Sequence, residues 1–289
     1  MMLDKIQGGL FGLAIGDALG ATTEFMTKEE IENEYGRVTE IVGGGIWGVE
    51  KGETTDDTAM TLAVARGILE NWVDPFEEIG KQFLDWYDTD PVDVGITIRT
   101  VFEYYDGDWF QTAKKVHDFL DGKSAGNGTL MRCLPIALAY TDPSKIEELT
   151  IALSKMTHYD DEAAEACVIY NRIARQLLEG EFLYSAIHSE IKNTRYESDY
   201  ANEPNCPPDG YVVHTMKWVL YWLLNSATLE EVVVGATNMG HDSDTVAAIA
   251  GGLKGLEVGY ENIPAKFSHT LIDEPLLKEY AKLLNEIRS

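Results

Sequence analysis

Apolar residues recur along most of the chain at spacings of three and four. Met60, Val64, Gly67, Ile68 and Trp72 share one helical face, and Phe76, Ile79, Phe83, Trp86 and Tyr87 share the next, the period of an amphipathic helix. The same spacing predicts helices over 97–105, 111–120, 129–139, 145–156, 161–178, 210–225, 229–236, 243–257 and 275–287. Asp74-Pro75, Asp90-Pro91, Asp142-Pro143, Gly180 and the run from Asn202 to Gly210 interrupt the pattern where the chain is expected to turn. Only Val38 to Val42 reads as a strand, and it is short. The alternation of strand and helix that marks a parallel sheet is missing, and no repeat of 20 to 50 residues occurs. The pattern predicts one all-α domain over 1–289, a compact helical bundle with short connections.

Composition narrows the function classes. The 289 residues hold 49 acidic side chains against 23 Lys plus Arg, a formal net charge of -26. Phosphate backbones are bound by clustered Lys and Arg, so nucleic acid is excluded as a partner. Cys133, Cys167 and Cys206 form no zinc pattern and suit a reducing compartment. With no apolar run of 18 residues, no membrane-spanning segment is expected, and the reading is a cytoplasmic protein.

Several motifs match by spelling and fail on physics. Gly43, Gly45 and Gly48 satisfy Gly-x-Gly-x-x-Gly, but no helix opens after Gly48 to aim its N-terminus at a diphosphate. Gly122-Lys123-Ser124 would need a glycine at 117, where His117 stands. No pair of histidines has zinc-hydrolase spacing.

Two helix starts carry more acid than a helix needs. Thr54-Thr55-Asp56-Asp57-Thr58 opens one apolar helix and His241-Asp242-Ser243-Asp244-Thr245 opens another near the far end of the chain. Capping explains part of this, because Thr54 and Asp57 have the spacing of a capping box and first-turn acids complement the helix dipole. One cap uses one oxygen, whereas each start supplies two repelling carboxylates. If the starts converge, four aspartates and two threonines suit two divalent cations with oxygen ligands. Gly8, Gly9, Gly12, Ala14, Gly16, Ala18 and Gly20 in the first helix, and Ala247-Ala248-Ile249-Ala250-Gly251-Gly252 after Asp244, favour convergence, because small residues let helices approach closely. Asp17 and Glu24 add two acids near the expected centre.

With these residues in view, the sequence resembles the ADP-ribosylglycohydrolase family, most of all its bacterial branch typified by dinitrogenase reductase-activating glycohydrolase. The resemblance rests on GLFGLAIGDALGATTEFMTKEEI at 9–31, GETTDDTAM at 52–60, PVDVG at 91–95, GNGTLMRCLP at 126–135 and NMGHDSDTVAAIAG at 238–251. It implies a compact all-α fold around two Mg2+ or Mn2+ ions held by Thr55, Asp56, Asp57, Asp242, Asp244 and Thr245, with Glu24 beside them. It implies that Asp93 faces the scissile ribose, that Gly126, Asn127 and Gly128 hold ribose and pyrophosphate, and that His158 and Tyr211 lie near the nucleotide. The implied activity removes ADP-ribose from a modified side chain, most often arginine, on a protein or as ADP-ribosyl-arginine. ADP-ribose would be the product.

Ile96, His241 and Tyr159-Asp160 depart from the branch pattern on the leaving-group side. Read without the resemblance, Asp93 is also an acid at a helix start, Asn127 an N-cap and His158 a helix-end histidine. A diphosphate enzyme of the prenyl-synthase kind is disfavoured, because Met60 replaces the second-turn carboxylate. A non-catalytic ADP-ribose binder of the same fold is the other alternative.

Overall fold

The computed structural model describes residues 1–198 and 200–288. In chain order the helices are α1 (Met2–Gly20), α2 (Lys28–Tyr35), α3 (Asp56–Glu70), α4 (Phe76–Tyr87), α5 (Ile96–Glu103), α6 (Trp109–Phe119), α7 (Leu134–Ala139) and α8 (Pro143–Lys155). They continue as α9 (Asp161–Glu179), α10 (Leu183–Ile191), α11 (Val212–Asn225), α12 (Leu229–Thr237), α13 (Ser243–Val258), α14 (Ala265–Ser268) and α15 (Glu274–Ile287). Two 3-10 turns, Asn127–Thr129 and Tyr260–Asn262, complete the set. The all-α expectation holds.

The expected strand at Val38 to Val42 does not form. Among the described residues the only β pairings are the isolated bridges Gly44 to Val49 and Gly126 to Tyr211. Val38 instead pairs its backbone with the side-chain amide of Asn238, at 2.9 and 2.8 Å. The segment expected to be helical over 129–139 starts late, because Pro135 lacks an N–H and is tolerated only in the first turn of α7. Periodicity also missed α2, which buries only Ile31 and is fixed by a capping box between Thr27 and Glu30, together with α10 and α14.

Helix α1 has no polar stripe, since every residue from Gly8 to Gly20 is buried. A helix apolar all round belongs at the centre of a core. Its partner is α13, buried from Ser243 to Leu256. The two touch backbone to backbone: a Cβ on Gly16 would lie 2.1 Å from the Ala247 carbonyl oxygen, and one on Gly20 would lie 2.2 Å from Asp244 Cα. Glycine at these positions lets the end of α1 rest on the start of α13.

That contact gives a prediction opposite in sign to helix propensity. Gly→Ala in an open helix stabilises by about 0.5–1 kcal/mol. Gly16→Ala should instead destabilise by about 1–3 kcal/mol, because neither backbone can yield without parting the helices. Urea unfolding measures it, and an unchanged or raised midpoint would contradict the close contact.

Candidate active site

The acidic starts of α3 and α13 meet. Thr245, on the first turn of α13, donates from Oγ1 to Asp57 Oδ2 on the first turn of α3, at 3.3 Å. Neither start is a capping box. The N-cap of α3 is Thr55 and that of α13 is Asp242, and neither side chain caps its own helix. Thr54, half of the expected box, donates to Asp273 Oδ2 at 3.3 Å instead.

The cap of α3 comes from another helix. Asp17, fully buried on α1, accepts from Thr55 N and Oγ1 through Oδ1, both at 2.8 Å, and from Thr58 N and Oγ1 through Oδ2 at 2.9 and 2.6 Å. All of these donors belong to the first turn of α3, so Asp17 serves as a remote cap rather than as one more acid facing the centre. Asp56 and Asp57 are thereby left free of capping. Oδ1 of Asp57 and Oδ1 of Asp244 are buried with no hydrogen-bond partner. Orphaned carboxylate oxygens among neighbouring buried acids fit a hard divalent cation.

Glu24 and Asp93 join this centre. Carboxylate oxygens of Glu24, Asp93 and Asp244 lie within 4.8 Å of one another, close enough to share an ion. Asp93 is not a helix-start acid, because α5 begins at Ile96 with no acid in its first turn. It sits in the preceding loop and shares a hydrogen bond with Asp56. Glu24, just beyond α1, accepts a hydrogen bond from the indole Nε1 of Trp47. Trp47 went unnoticed in the sequence. It rides on the glycine loop, where Gly43, Gly44, Gly45 and Gly48 all have positive φ, and its only signal was an aromatic residue inside a loop of glycines.

A cavity of about 490 Å³ opens beside the acids and is lined by Glu24, Asp56, Asp93, Gly126, Asn127, Gly128, His158, Asp242 and Thr245. Asn127 lies within the 3-10 turn rather than at its cap, which is Gly126. Its amide donates to Asp242 Oδ2 at 2.7 Å and to Thr215 Oγ1 at 3.0 Å, and so fixes an acid of the centre. Its backbone N–H is taken by Gly210 O at 3.0 Å. His158 lies just beyond α8, with its N–H on Ser154 O at 2.9 Å, and its ring reaches the cavity. Tyr211 lies outside the lining and donates its phenol to Glu162 Oε2 at 2.5 Å. A second cavity of about 520 Å³ lies on the other side of Asp56 and Asp93 and adds Glu50, Glu53, Asp90, Asp273 and Trp86.

Burial sets the protonation of the centre. It raises Asp56, Asp57 and Asp244 well above the usual carboxylate range, with neighbouring carboxylates adding to the effect. Burial first and the charge of Asp93 second push Glu24 up to about 8. Burial first and Asp242 second push Asp93 up to about 6. His158 is held neutral, pushed down to about 3 by burial and then by Arg132.

This geometry coincides with a match along the whole chain. The model of the family described as ADP-ribosylglycohydrolase covers residues 1–289. The chain belongs to the ADP-ribosylglycohydrolase family. The ADP-ribosyl-[dinitrogen reductase] glycohydrolase of Rhodospirillum rubrum is 35% identical over 264 residues, covering 91% of this chain and 88% of the relative. The ADP-ribosylarginine hydrolase Tri1 of Serratia proteamaculans is 27% identical over 98% of this chain and 79% of its own. A solved structure titled ADP-ribosylglycohydrolase-related protein complex superposes with a TM-score of 0.86 at 28% identity, covering 99% of this chain and 98% of that one. ADP-ribosylglycohydrolases hydrolyse glycosidic bonds to ADP-ribose. No described helix is long and apolar enough to cross a membrane.

The raised carboxylates fix the pH response of the metal-free ADP-ribosylglycohydrolase chain. Each binds its proton more tightly folded than unfolded, so its stabilising effect is complete below the unfolded value and is lost as pH rises through the folded one. For Glu24 that window runs from about 4.5 to about 8. Calorimetry of chelated protein should therefore show Tm falling between pH 5 and 8, and Mg2+ or Mn2+ should raise it more at pH 8 than at pH 5. A cation effect independent of pH would contradict the burial of protonated acids here.

Proposed function

We propose that this chain hydrolyses the N-glycosidic bond of ADP-ribosyl-arginine, on a modified protein or as the free adduct, and releases ADP-ribose. Thr55, Asp56, Asp57, Asp242, Asp244 and Thr245 would hold two divalent cations, Mg2+ or Mn2+. The observation that carries the reading is the meeting of two acidic helix starts, of which α3 is capped by Asp17 and α13 has no side-chain cap, with carboxylate oxygens of Asp57 and Asp244 buried and unpartnered. Bound cations would neutralise the acids and hold ribose hydroxyls beside them.

The chain's own residues supply the rest. Asp93 reaches the acid centre from the loop before α5, where a carboxylate offsets the positive charge of a breaking glycosidic carbon or takes a proton from water. Glu24 has the higher proton affinity of the pair in the cation-free chain, so it keeps its proton to higher pH than Asp93. Trp47 keeps the Glu24 carboxylate aimed at the centre. The turn at Gly126, Asn127 and Gly128 leaves room for ribose and pyrophosphate, with His158 beside it. The second cavity, acidic and carrying Trp86, suits a cationic leaving group on the far side of Asp93. Tyr211 belongs to the rim, where the adenine end would emerge.

Turnover of ADP-ribosyl-arginine, with and without divalent cation, tests the reading. Full activity after exhaustive chelation would sink the two-cation assignment, and ADP-ribose binding without turnover would leave a non-catalytic binder. If Asp57 and Asp244 serve one ion pair, Asp57→Asn and Asp244→Asn should each remove most activity and the double variant little more. Mild, additive losses would separate the two.

Asp93→Asn should lower turnover by about 10²- to 10⁴-fold while ADP-ribose affinity stays within about tenfold, since the amide keeps shape but not charge. Calorimetry beside the assay reads both halves. Near-normal turnover would take Asp93 out of the chemistry.

A further inference from the structure

Arg132 is fully buried beneath the turn that lines the first cavity. It makes no ion pair within 4.0 Å among the described residues, although the chain holds more than twice as many acids as bases. Its guanidinium sits 4.6 Å from the centre of the Phe83 ring. Nη1 donates to Gly128 O at 3.1 Å, Nη2 donates to Thr157 Oγ1 at 2.6 Å, and Nε has no partner. A buried cation without a counter-ion is costly to keep.

Thr157 Oγ1 has one further neighbour, His158 Nδ1 at 2.7 Å. Arginine only donates, so the threonine oxygen accepts from Arg132, and Nδ1 of His158 is the acceptor found for its hydrogen among the described residues. Nδ1 then accepts, and the single proton of the neutral ring resides on Nε2. Nε2 is the atom that faces the turn. A Cβ on Gly126 would lie 3.0 Å from it and one on Gly128 would lie 3.5 Å away, so the missing side chains leave it open to the cavity. Nε2 makes no hydrogen bond among the described residues.

We infer that Arg132 and Thr157 are positioning residues that fix His158 as an Nε2–H donor aimed at an anionic oxygen of the ADP-ribose diphosphate. The inference rests on reading this cavity as the ADP-ribose site. It explains how a cavity walled by carboxylates presents a donor to an anion: burial keeps the imidazole from charging, the relay orients its proton, and Arg132 adds positive potential from behind the turn. A hydrogen bond to a charged group is worth about ten- to hundredfold in affinity.

The test reads the ring and the ligand separately. In protein with 15N-labelled histidine, His158 should show the Nε2–H tautomer whether or not ADP-ribose is present. Thr157→Val removes the donor to Nδ1 and should give a tautomer mixture, with ADP-ribose affinity lowered about five- to tenfold and KM raised more than kcat is lowered. Thr157→Ser keeps the hydroxyl and should restore both. His158→Gln, whose amide keeps a donor near Nε2, should bind ADP-ribose more tightly than His158→Phe by about tenfold. An Nδ1–H tautomer in the wild type, or a valine variant that is folded with unchanged tautomer and affinity, would overturn the relay. Wild-type protein that shows the Nε2–H tautomer but neither binds ADP-ribose nor turns over its adduct would overturn the site reading and leave the tautomer assignment standing.

Discussion

The close backbone contact between α1 and α13 is the constraint on which the site depends. Gly16 rests on the Ala247 carbonyl and Gly20 on Asp244 Cα, so the C-terminal end of α1 and the N-terminal start of α13 have little freedom to slide. Asp17 stands between these two glycines and points the other way, onto the first turn of α3. One helix thus fixes both acidic starts, one by steric contact and the other by four hydrogen bonds. Residues separated by 188 positions come within 3.3 Å as a result.

Packing of this kind forces an electrostatic conflict. Burial removes water from carboxylates that also repel one another, so the folded chain without cations keeps protons on acids that would ordinarily be ionised. The rest of the core has to hold that arrangement in place. Around α1 and α13 it is apolar and continuous, and polar groups inside it bond across elements: Asn171 donates to Cys133 O and Thr150 Oγ1, and Tyr170 donates to Ile249 O. Among the buried side-chain atoms of the described residues that have no partner, the carboxylate oxygens are those of Asp57 and Asp244.

The loops then give the centre two faces. Asp56 and Asp93 border both cavities, one beside the glycine turn and His158, the other lined by further acids and Trp86. The two cavities that share this carboxylate pair therefore differ in chemistry. Exposed Ile96, at the mouth of the first cavity, occupies a position where the sequence departs from the bacterial branch.

Much of this was legible in the chain. Amphipathic spacing located most outer helices, because a helix with one wet face writes a period of 3.6 into its sequence. The excess of acid at Asp56-Asp57 and Asp242-Asp244 identified a centre, because capping uses fewer charges than were present. Helix α1 carried no such period, being dry on all sides, and α2 carried too few apolar residues to show one. The sequence by itself determined the helical class and the family. Tertiary structure alone decided that Asp17 caps α3, that Asn127 holds Asp242, that Trp47 reaches Glu24 and that Tyr211 bonds Glu162 outside the cavity lining. Each of these is a side-chain hydrogen bond between elements distant in sequence, set by how the backbones pack, and no local spacing encodes it.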